Sequence, residues 1–298
     1  MKKATITIGI PAFNESQTII MLLDSISRQI QDNYIIQKII IFLDGTTDDT
    51  RKKLRSYHSL PIDVLTSNSR KGKAFGLNKI IQHCSSDILV LFDGDIVLRD
   101  AFTISQMINP ILQNHADLTS PMIKELPNTD IVGNILTSSM EYKRELFSRI
   151  QHGNNIYTCH GRARAFSKKL YKTILFKSSL NEDAYSFMYC VANGYQYAYV
   201  PNVCIYYTLP QSIQDHEAQS LRFFQSKNLS IAEFGNEFID RIYKIPATIA
   251  LSVLIKHIIK NPLLLIYLFL VIAIKCKSYW KSPSKNTWQI ATTSKVKS

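Results

Sequence analysis

The sequence predicts an α/β protein with a mostly parallel central sheet, helices on both faces of that sheet, and further helices at the C-terminal end. The first observation behind this prediction is that short apolar runs alternate with segments of helical periodicity from residue 4 to about residue 120. The second is that these runs are continuous rather than alternating, which is typical of strands covered on both faces. Strand–helix repetition of this kind favours parallel pairing of the strands.

Strands and helices alternate along the first hundred residues. The predicted strands are residues 5–10, 38–43, 62–65 and 87–92. The helices predicted between them are residues 16–29, 48–57 and 73–83. Because ligands of such sheets bind at the carboxyl ends of the strands, we expect the chemistry to lie just after residues 10, 43, 65 and 92.

The second half of the chain has a less regular pattern. It predicts a long helix, two short strands and a helical stretch at residues 131–149, 195–200, 203–206 and 211–242. We therefore expect one large domain over residues 1–242, divided near residue 120. Met1-Lys2-Lys3 and the apolar run after them are predicted to begin the first strand rather than a signal peptide, because the run is short and breaks at Pro11.

The segment 243–276 is strongly apolar, although Lys256, His257 and Lys260 interrupt it. Its uncharged part, residues 263–274, is shorter than the roughly 20 residues that a straight spanning helix needs. Two interpretations remain open. Either an interfacial helix precedes a short membrane-inserted helix, with a hinge at Pro262, or two helices form a hairpin packed on the large domain. We favour membrane attachment, as a monotopic anchor rather than a span.

The formal net charge of +12 predicts attraction to polyanions. Beyond residue 274 every charged side chain is a lysine, and we expect residues 277–298 to form a disordered basic tail. A basic tail beside apolar sequence suits a membrane surface better than a DNA groove, while a merely solubilising tail is the alternative. Since no recognition motif accompanies the charge, we exclude nucleic acid as a partner.

The five cysteines are scattered and form no C-x-x-C pair. This spacing indicates neither a disulfide framework nor a zinc site, and it favours a reducing compartment. Together with the apolar segment, it predicts that the protein acts at the cytoplasmic face of a membrane.

A pair of carboxylates follows the last predicted strand of the first half. Asp93-Gly94-Asp95 comes directly after the apolar run ILVLF, and the central glycine allows a ligand to approach closely. Two carboxylates one residue apart offer oxygen ligands to Mn²⁺ or Mg²⁺. Without a cation they repel each other and one pKa rises, so a bound metal is the natural resolution.

Three further motifs lie at the other strand ends and at a helix start. Residues 10–15 (IPAFNE) end the first strand, and residues 43–50 (LDGTTDDT) follow the second. Asp44, at the strand tip, is predicted to accept hydrogen bonds from a base or a ribose hydroxyl, whereas Asp48 and Asp49 favour a helix dipole. Residues 70–78 (RKGKAFGLN) place cations and glycines at a helix N-terminus, which is typical of an anion site.

IPAFNE, LDGTTDDT, RKGKAFGLN and the strand-end FDGD together resemble the ordered motif set of family 2 glycosyltransferases, which have the GT-A fold. The resemblance runs over roughly residues 4–100. It implies a nucleotide-binding half up to about residue 120 and an acceptor half over residues 121–242. The family often has two acids where this chain has Leu43-Asp44; only the second is present, and that is the one expected to contact the nucleotide base.

The resemblance implies an inverting hexosyltransferase in polysaccharide biosynthesis. The expected donor is a nucleotide-diphospho-sugar, with a UDP-sugar favoured, and the expected cofactor is Mn²⁺ or Mg²⁺. The expected acceptor is lipid-linked or a glycan at the membrane. Two alternatives remain: a non-catalytic, membrane-docked nucleotide-sugar-binding protein, and a sugar-nucleotide pyrophosphorylase. The first conflicts with intact Asp93, Asp95 and Asp183, and the second expects a glycine-rich phosphate loop where this chain has residues 11–15.

The resemblance also assigns roles to individual residues. Asn181-Glu182-Asp183 is similar to the family's E-D motif, which makes Asp183 the catalytic base, and residues 161–166 resemble the segment that shapes the acceptor site. The metal ligands are Asp93 and Asp95. The expected donor-binding residues are Pro11, Ala12, Glu15, Asp44, Lys73, Asp93, Gln219 and Arg222.

Gln219 and Arg222 belong to a stretch, residues 219–223, that resembles a Q-x-x-R-W signature with Phe223 in place of tryptophan. On a helix the two side chains share one face, so both could reach one ligand. An ordinary amphipathic helix is the alternative. His160 and His216 are poorer candidates for metal ligands, because a lone histidine more often has a structural role.

Overall fold

The computed structural model describes residues 3–210 and 212–280, except for the side chains of Gln219, residues 222–226 and residues 277–280. Within these residues the strands are β1 Ala4–Ala12, β2 Tyr34–Asp44, β3 Ile62–Ser67, β4 Ile88–Phe92, β5 Ile96–Leu98, β6 Leu118–Glu125, β7 Ala163–Ser167 and β8 Tyr197–Tyr207. They form one sheet in the order β3-β2-β1-β4-β7-β6-β8-β5. The expected basic tail, residues 277–298, lies outside the described residues apart from the helical backbone of residues 277–280.

Helices connect and cover these strands. The described helices are α1 Ile19–Ser27, α2 Thr50–Arg55, α3 Lys73–Gln82, α4 Thr103–Leu112, α5 Ile131–Arg149, α6 Lys168–Tyr171, α7 Glu182–Ala192, α8 Ile213–Phe234, α9 Asn236–Ile242, α10 Ala247–Lys260 and α11 Leu263–Trp280. Two 3₁₀ turns, Ile150–Gly153 and Ile156–Thr158, follow α5. The long helix predicted at residues 131–149 is confirmed by α5 with the same bounds.

The sheet has one part in which all strands are parallel and a second part that contains both parallel and antiparallel pairs. Strands β3, β2, β1 and β4 pair in parallel, as the alternation of strands and helices predicts. Strand β7 pairs antiparallel with both β4 and β6, β6 pairs in parallel with β8, and β5 pairs antiparallel with β8. Parallel pairing therefore predominates among the described strands, and the predicted sheet type is confirmed.

Alternating side chains of the buried strands pack into two separate hydrophobic cores, one on each face of the sheet. In β4, Ile88, Val90 and Phe92 join a core that contains the apolar sides of α1 and α4. Leu89 and Leu91 point the other way, into a core with α3 and α7. Because both faces are covered, the strand is apolar at every position, which explains the continuous run in the sequence.

The second half differs from the prediction at two places. The two short strands predicted at residues 195–200 and 203–206 are one strand, β8, because an irregularity opposite Pro121 and Met122 of β6 absorbs residues 201–203. The helical stretch predicted over residues 211–242 is divided into α8 and α9 at Gly235, whose φ of 81° ends the first helix.

The C-terminal helices combine features of both sequence interpretations. Helices α10 and α11 follow each other across Pro262, and both pack on α5. Their inner sides are buried at Val253, Leu264 and Ile274. Their outer sides are apolar and open, with Ile259 78% and Phe269 74% exposed. By length and composition alone, Asn236–Lys260 is the one described stretch that could cross a membrane.

The buried position of β4 generates a stability prediction. Replacing the fully buried Leu89 by alanine leaves a cavity between the sheet and α3, so the free energy of unfolding should fall by about 2–5 kcal/mol. Urea denaturation measures this change. The matched control is Val64→Ala on the edge strand β3, where the side chain is exposed and the change should stay within about 0.5 kcal/mol. Equal losses in the two variants would contradict this account of the core.

Candidate active site

The predicted motifs come together at one edge of the sheet. Asp93 follows β4, Asp44 ends β2, and Glu15 lies just after β1. A Cβ added at Gly94 would lie only 2.9 Å from Cγ of Glu15, so the two strand-end segments are in close contact. This arrangement agrees with the expectation that the predicted motifs meet at the carboxyl ends of the strands.

Lys73 connects the two halves of the domain. Its Nζ lies 2.7 Å from Oδ1 of Asp93 at the end of β4 and 2.5 Å from Oε1 of Glu182 at the start of α7. Burial lowers the pKa of Lys73, but Asp93 and Glu182 outweigh burial and hold that pKa above its ordinary value. Burial likewise raises the pKa of Glu182, and the charges of Lys73 and Arg164 more than reverse this. Both pKa shifts favour the ionised forms of Lys73 and Glu182 at neutral pH.

Asp183 lies in the first turn of α7, next to this ion-pair network. Its Oδ1 accepts a hydrogen bond from the backbone N–H of Ala184 at 2.7 Å. Burial, reinforced by the neighbouring Glu182 carboxylate, raises the pKa of Asp183. A Cβ added at Gly161 would lie 3.4 Å from Cβ of Asp183 and 3.5 Å from Nζ of Lys73. The glycine thus leaves room beside a carboxylate whose proton affinity suits a general base.

The carboxylates of Asp93 and Asp95 repel each other, which helps to raise the pKa of Asp95. The pKa of Asp95 is raised, mainly by burial. The positive charge of Arg162 lowers this pKa, and the negative charge of Asp93 raises it further, so the net shift is upward. Among the described residues, no group of three or more His, Cys, Asp or Glu side chains is placed to hold a metal. Two carboxylates nevertheless fit Mg²⁺ or Mn²⁺, because such ions take substrate phosphates and water as their other ligands. His160 and His216 add no ligand to this pair.

Two arginines, Arg162 and Arg164, support the site from β7 and the segment before it. Arg164 is fully buried, and its Nη1 donates to the backbone carbonyl of Glu182 at 2.7 Å and to Oγ of Ser186 at 2.6 Å. The guanidinium of Arg162 lies 3.7 Å from the ring centroid of Tyr207. The sequence analysis did not predict these two roles individually.

Asp44 organises the basic loop that precedes α3. Its two carboxylate oxygens accept hydrogen bonds from the backbone N–H groups of Lys71, at 2.7 Å, and Gly72, at 2.8 Å. Gly45, with a φ of 66°, allows this loop to approach, because an added Cβ would lie 2.7 Å from the backbone nitrogen of Arg70. The loop's position at a helix N-terminus agrees with the predicted anion site, and the contact of Asp44 with a base or ribose stays a prediction.

The remaining donor residues fall into two groups. Pro11 and Ala12 are the last residues of β1, and Glu15 accepts a hydrogen bond from Oγ1 of Thr18 at 2.7 Å. These three residues border the same sheet edge as Asp93. The side chains of Gln219 and Arg222, like that of Phe223, lie outside the described residues, although their backbone belongs to α8. Their donor-binding role therefore stays a prediction.

A cavity of about 700 Å³ adjoins Asp183 on the side away from Asp44 and the basic loop. It lies between α5, α8 and α11, and His160 and Arg162 line it together with Asp183. Burial, with the charges of Arg162 and Arg144, lowers the pKa of His160 to about 3, so its imidazole is neutral. The cavity gives a second substrate access to the proposed base.

Comparisons with known proteins agree with this fold. The solved mannosyltransferase of Pyrobaculum calidifontis, in complex with GDP-Man and Mn²⁺, superimposes with a TM-score of 0.61 at 16% identity, over 95% of this chain and 77% of its own. Glucosyl-3-phosphoglycerate synthase of Mycobacterium tuberculosis, solved with Mn²⁺ and UDP-glucose, gives a TM-score of 0.57 at 18% identity, over 78% and 79%. These likenesses confirm the GT-A fold.

Sequence comparison gives the family. The chain is 30% identical over 106 residues to the 4,4'-diaponeurosporenoate glycosyltransferase of Staphylococcus aureus, which is 35% of this chain and 27% of that relative's length. The matched part therefore spans about a quarter of that relative. The sequence model described as glycosyl transferase family 2 matches residues 7–175, more than half of the chain and including Asp44, Lys73, Asp93 and Asp95. The chain belongs to glycosyltransferase family 2.

Proposed function

We propose that this protein is an inverting glycosyltransferase that moves a hexose from a nucleotide-diphospho-sugar to a lipid-linked or glycan acceptor at a membrane. The single observation that carries the proposal is the position of Lys73, which joins the strand end bearing Asp93 to the helix start bearing Asp183. Donor-side carboxylates and an acceptor-side base are thereby held in one site. Structures of similar fold that were solved with GDP-Man and Mn²⁺ or with UDP-glucose and Mn²⁺ support a metal-dependent donor of this class.

The donor would lie along the sheet edge. Asp44, Pro11 and Ala12 border the space for the base and ribose, as strand-end residues do in related sheets. The loop of Arg70, Lys71 and Gly72, at the start of α3, would bind the negatively charged diphosphate of the donor. A divalent cation held by Asp93 and Asp95 would neutralise the charge that develops on the departing diphosphate. We favour a UDP-sugar as the donor, and we assign Gln219 and Arg222 to the same ligand.

The transfer step assigns the proton to Asp183. The acceptor hydroxyl oxygen forms a bond to the anomeric carbon while the bond from that carbon to the diphosphate oxygen breaks, and its electron pair leaves with the diphosphate. The hydroxyl proton passes to the Asp183 carboxylate. One displacement inverts the anomeric configuration. Glu182, held ionised by Lys73 and Arg164, keeps a negative charge beside the base and so increases its affinity for that proton.

Attachment to a membrane is supported by the outer faces of α10 and α11. These faces expose Leu251, Ile255, Ile259, Phe269 and Ile272. Open apolar surface of this extent marks an interaction site. Lys256 and Lys260 of α10 pair with Glu145 and Glu141 of α5, so the apolar faces rather than these lysines support membrane attachment. All five cysteines are free, which suits the cytoplasmic side.

The first prediction tests the activity itself. A screen of UDP- and GDP-sugars, with and without membranes, should show Mn²⁺-dependent release of the nucleoside diphosphate from one donor. In the Asp95→Asn variant the rate should fall by about 10²–10³, because a preorganised charge at the leaving group is lost. Arg51→Gln, an exposed change on α2, is the matched control and should keep the parent rate. No release from any donor, with the sugar still bound, would favour the non-catalytic binding protein.

The second prediction concerns Asp183. Asp183→Asn should lower transfer by about 10²–10⁴ while donor affinity stays close to the parent value, because a general base acts only on the acceptor proton. Product formation and donor titration measure the two quantities separately. Loss of donor binding in parallel with transfer would assign Asp183 to the donor site instead.

The same variant has an expected effect on stability. The pKa of Asp183 is raised in the folded state, so its ionised form destabilises the fold above the ordinary value of 3.8. Asp183→Asn should therefore raise the free energy of unfolding at pH 7, and the gain should vanish as the pH falls below that value. Urea denaturation at pH 7 and at acidic pH measures the difference. A variant less stable than the parent at pH 7 would contradict this sign.

The third prediction tests membrane attachment. Replacing Ile259 and Phe269 together by serine should weaken co-sedimentation with anionic vesicles by roughly 100-fold, because each buried apolar side chain stabilises association by about 1.5–3 kcal/mol. Leu175→Ser removes an equally exposed apolar side chain far from these helices and should leave binding unchanged. Vesicle binding that survives the double change would place the attachment elsewhere.

A further inference from the structure

The cavity beside Asp183 has an apolar wall. Most of its lining is carbon, contributed by Leu136, Met140, Phe147, Leu209, Val271 and Ile274. Its volume of about 700 Å³ falls within the range of roughly 300–1,000 Å³ that is usual for small-molecule sites. Along this apolar wall the hydroxyl groups of a free glycan would have no partners, which is costly, whereas a hydrocarbon chain would be stabilised.

The cavity connects the site to the helices that we place at the membrane. Asp183 and His160 line one part of it, and Val271, Ile274 and Lys275 of α11 line another. The opposite side of α11 carries the exposed Phe269 and Ile272. One helix therefore borders the cavity on its inner side and the proposed membrane surface on its outer side.

The charge of the lining favours a negatively charged head on the occupant. Among the described lining residues the cations are Lys143, Arg144, Arg162, Lys227 and Lys275, and Asp183 is the carboxylate. Arg144 is paired outside the cavity with Glu125 at 2.7 Å. The buried Nε of Arg162 has no hydrogen-bond partner among the described residues. A buried donor without a partner is unusual in a folded protein and points to a ligand that supplies the acceptor.

We propose that this cavity binds the hydrocarbon chain of an amphipathic acceptor whose anionic, oxygen-bearing head lies at Arg162 and Asp183. This inference rests on the proposed function, since it identifies the acceptor of the same site. It goes further in excluding a water-soluble glycan and in placing the chain between α5, α8 and α11. The membrane would deliver the acceptor along α11, and the head would reach the base while the chain stays enclosed.

The experiment measures binding without donor, so that it does not depend on turnover. Isothermal titration with n-alkyl phosphates, below their critical micelle concentrations, should show affinity rising about fourfold for each added methylene until the cavity is full. Dodecyl phosphate should bind more tightly than dodecyl glucoside, which has the same chain and a neutral head. Affinity that is independent of chain length, or equal affinity for the two heads, would overturn the proposal.

Two neighbouring positions on α11 provide matched variants. Val271→Trp fills the cavity from its inner side and should weaken the binding of dodecyl phosphate at least tenfold, whereas Ile272→Trp adds the same side chain on the outer side and should have no effect. Ile272→Trp, which lies outside the cavity, should also keep the parent rate of Mn²⁺-dependent donor hydrolysis. Equal binding by the two variants would place the chain outside the cavity.

The two proposals fail in different ways. If alkyl phosphates bind as expected but no nucleotide sugar is turned over, the cavity assignment stands and the proposed transfer is wrong. If donor turnover is observed but alkyl chains do not bind, or Val271→Trp has no effect on them, the transfer stands and the amphipathic acceptor is wrong.

Discussion

The active site depends on one buried ion-pair network, in which the Lys73 ammonium lies between the carboxylates of Asp93 and Glu182. Exposure of the lysine and glutamate side chains is only 13% and 5%, so neither charge is compensated by water. Removing one member of such a network leaves an uncompensated buried charge, which typically costs about 3–5 kcal/mol. The network therefore fixes the distance between the end of β4, which carries Asp93, and the start of α7, which carries Asp183.

The same network separates the properties of two adjacent acids. Glu182 is held ionised by Lys73 and Arg164, whereas Asp183, one residue later, has its pKa raised by burial and by Glu182 itself. The two acids thus differ in their affinity for a proton, although they occupy the same helical turn. The buried, ionised form of Asp183 lowers the stability of the fold, as is common for residues at functional sites.

The sequence predicted the first half of the fold because β1, β2 and β4 are largely buried and have mainly apolar sequences, while β3 at the sheet edge is only partly buried. The strands that went unassigned lack this signal: β5 has three residues, β6 contains Pro121, and β7 carries the buried Arg164 among small residues. Pairing with neighbouring strands, rather than local hydrophobicity, stabilises them. The motif resemblance identified Asp93 and Asp183, but the contact between Lys73 and Glu182 joins residues more than a hundred positions apart, which no local pattern reports.

The strand order has a consequence for how the protein matures during synthesis. Asp93-Gly94-Asp95 leaves the centre of the sheet at β4 and continues directly into β5, whose partner is the end of β8, with Ile96 opposite Tyr207. A nascent chain that has not yet emerged beyond residue 207 can complete β1 to β4 and still lack the partner that fixes the far side of the carboxylate pair. If the pair holds a cation as proposed, that competence would be acquired late on the ribosome, after residues 197–207 have emerged and paired with β5.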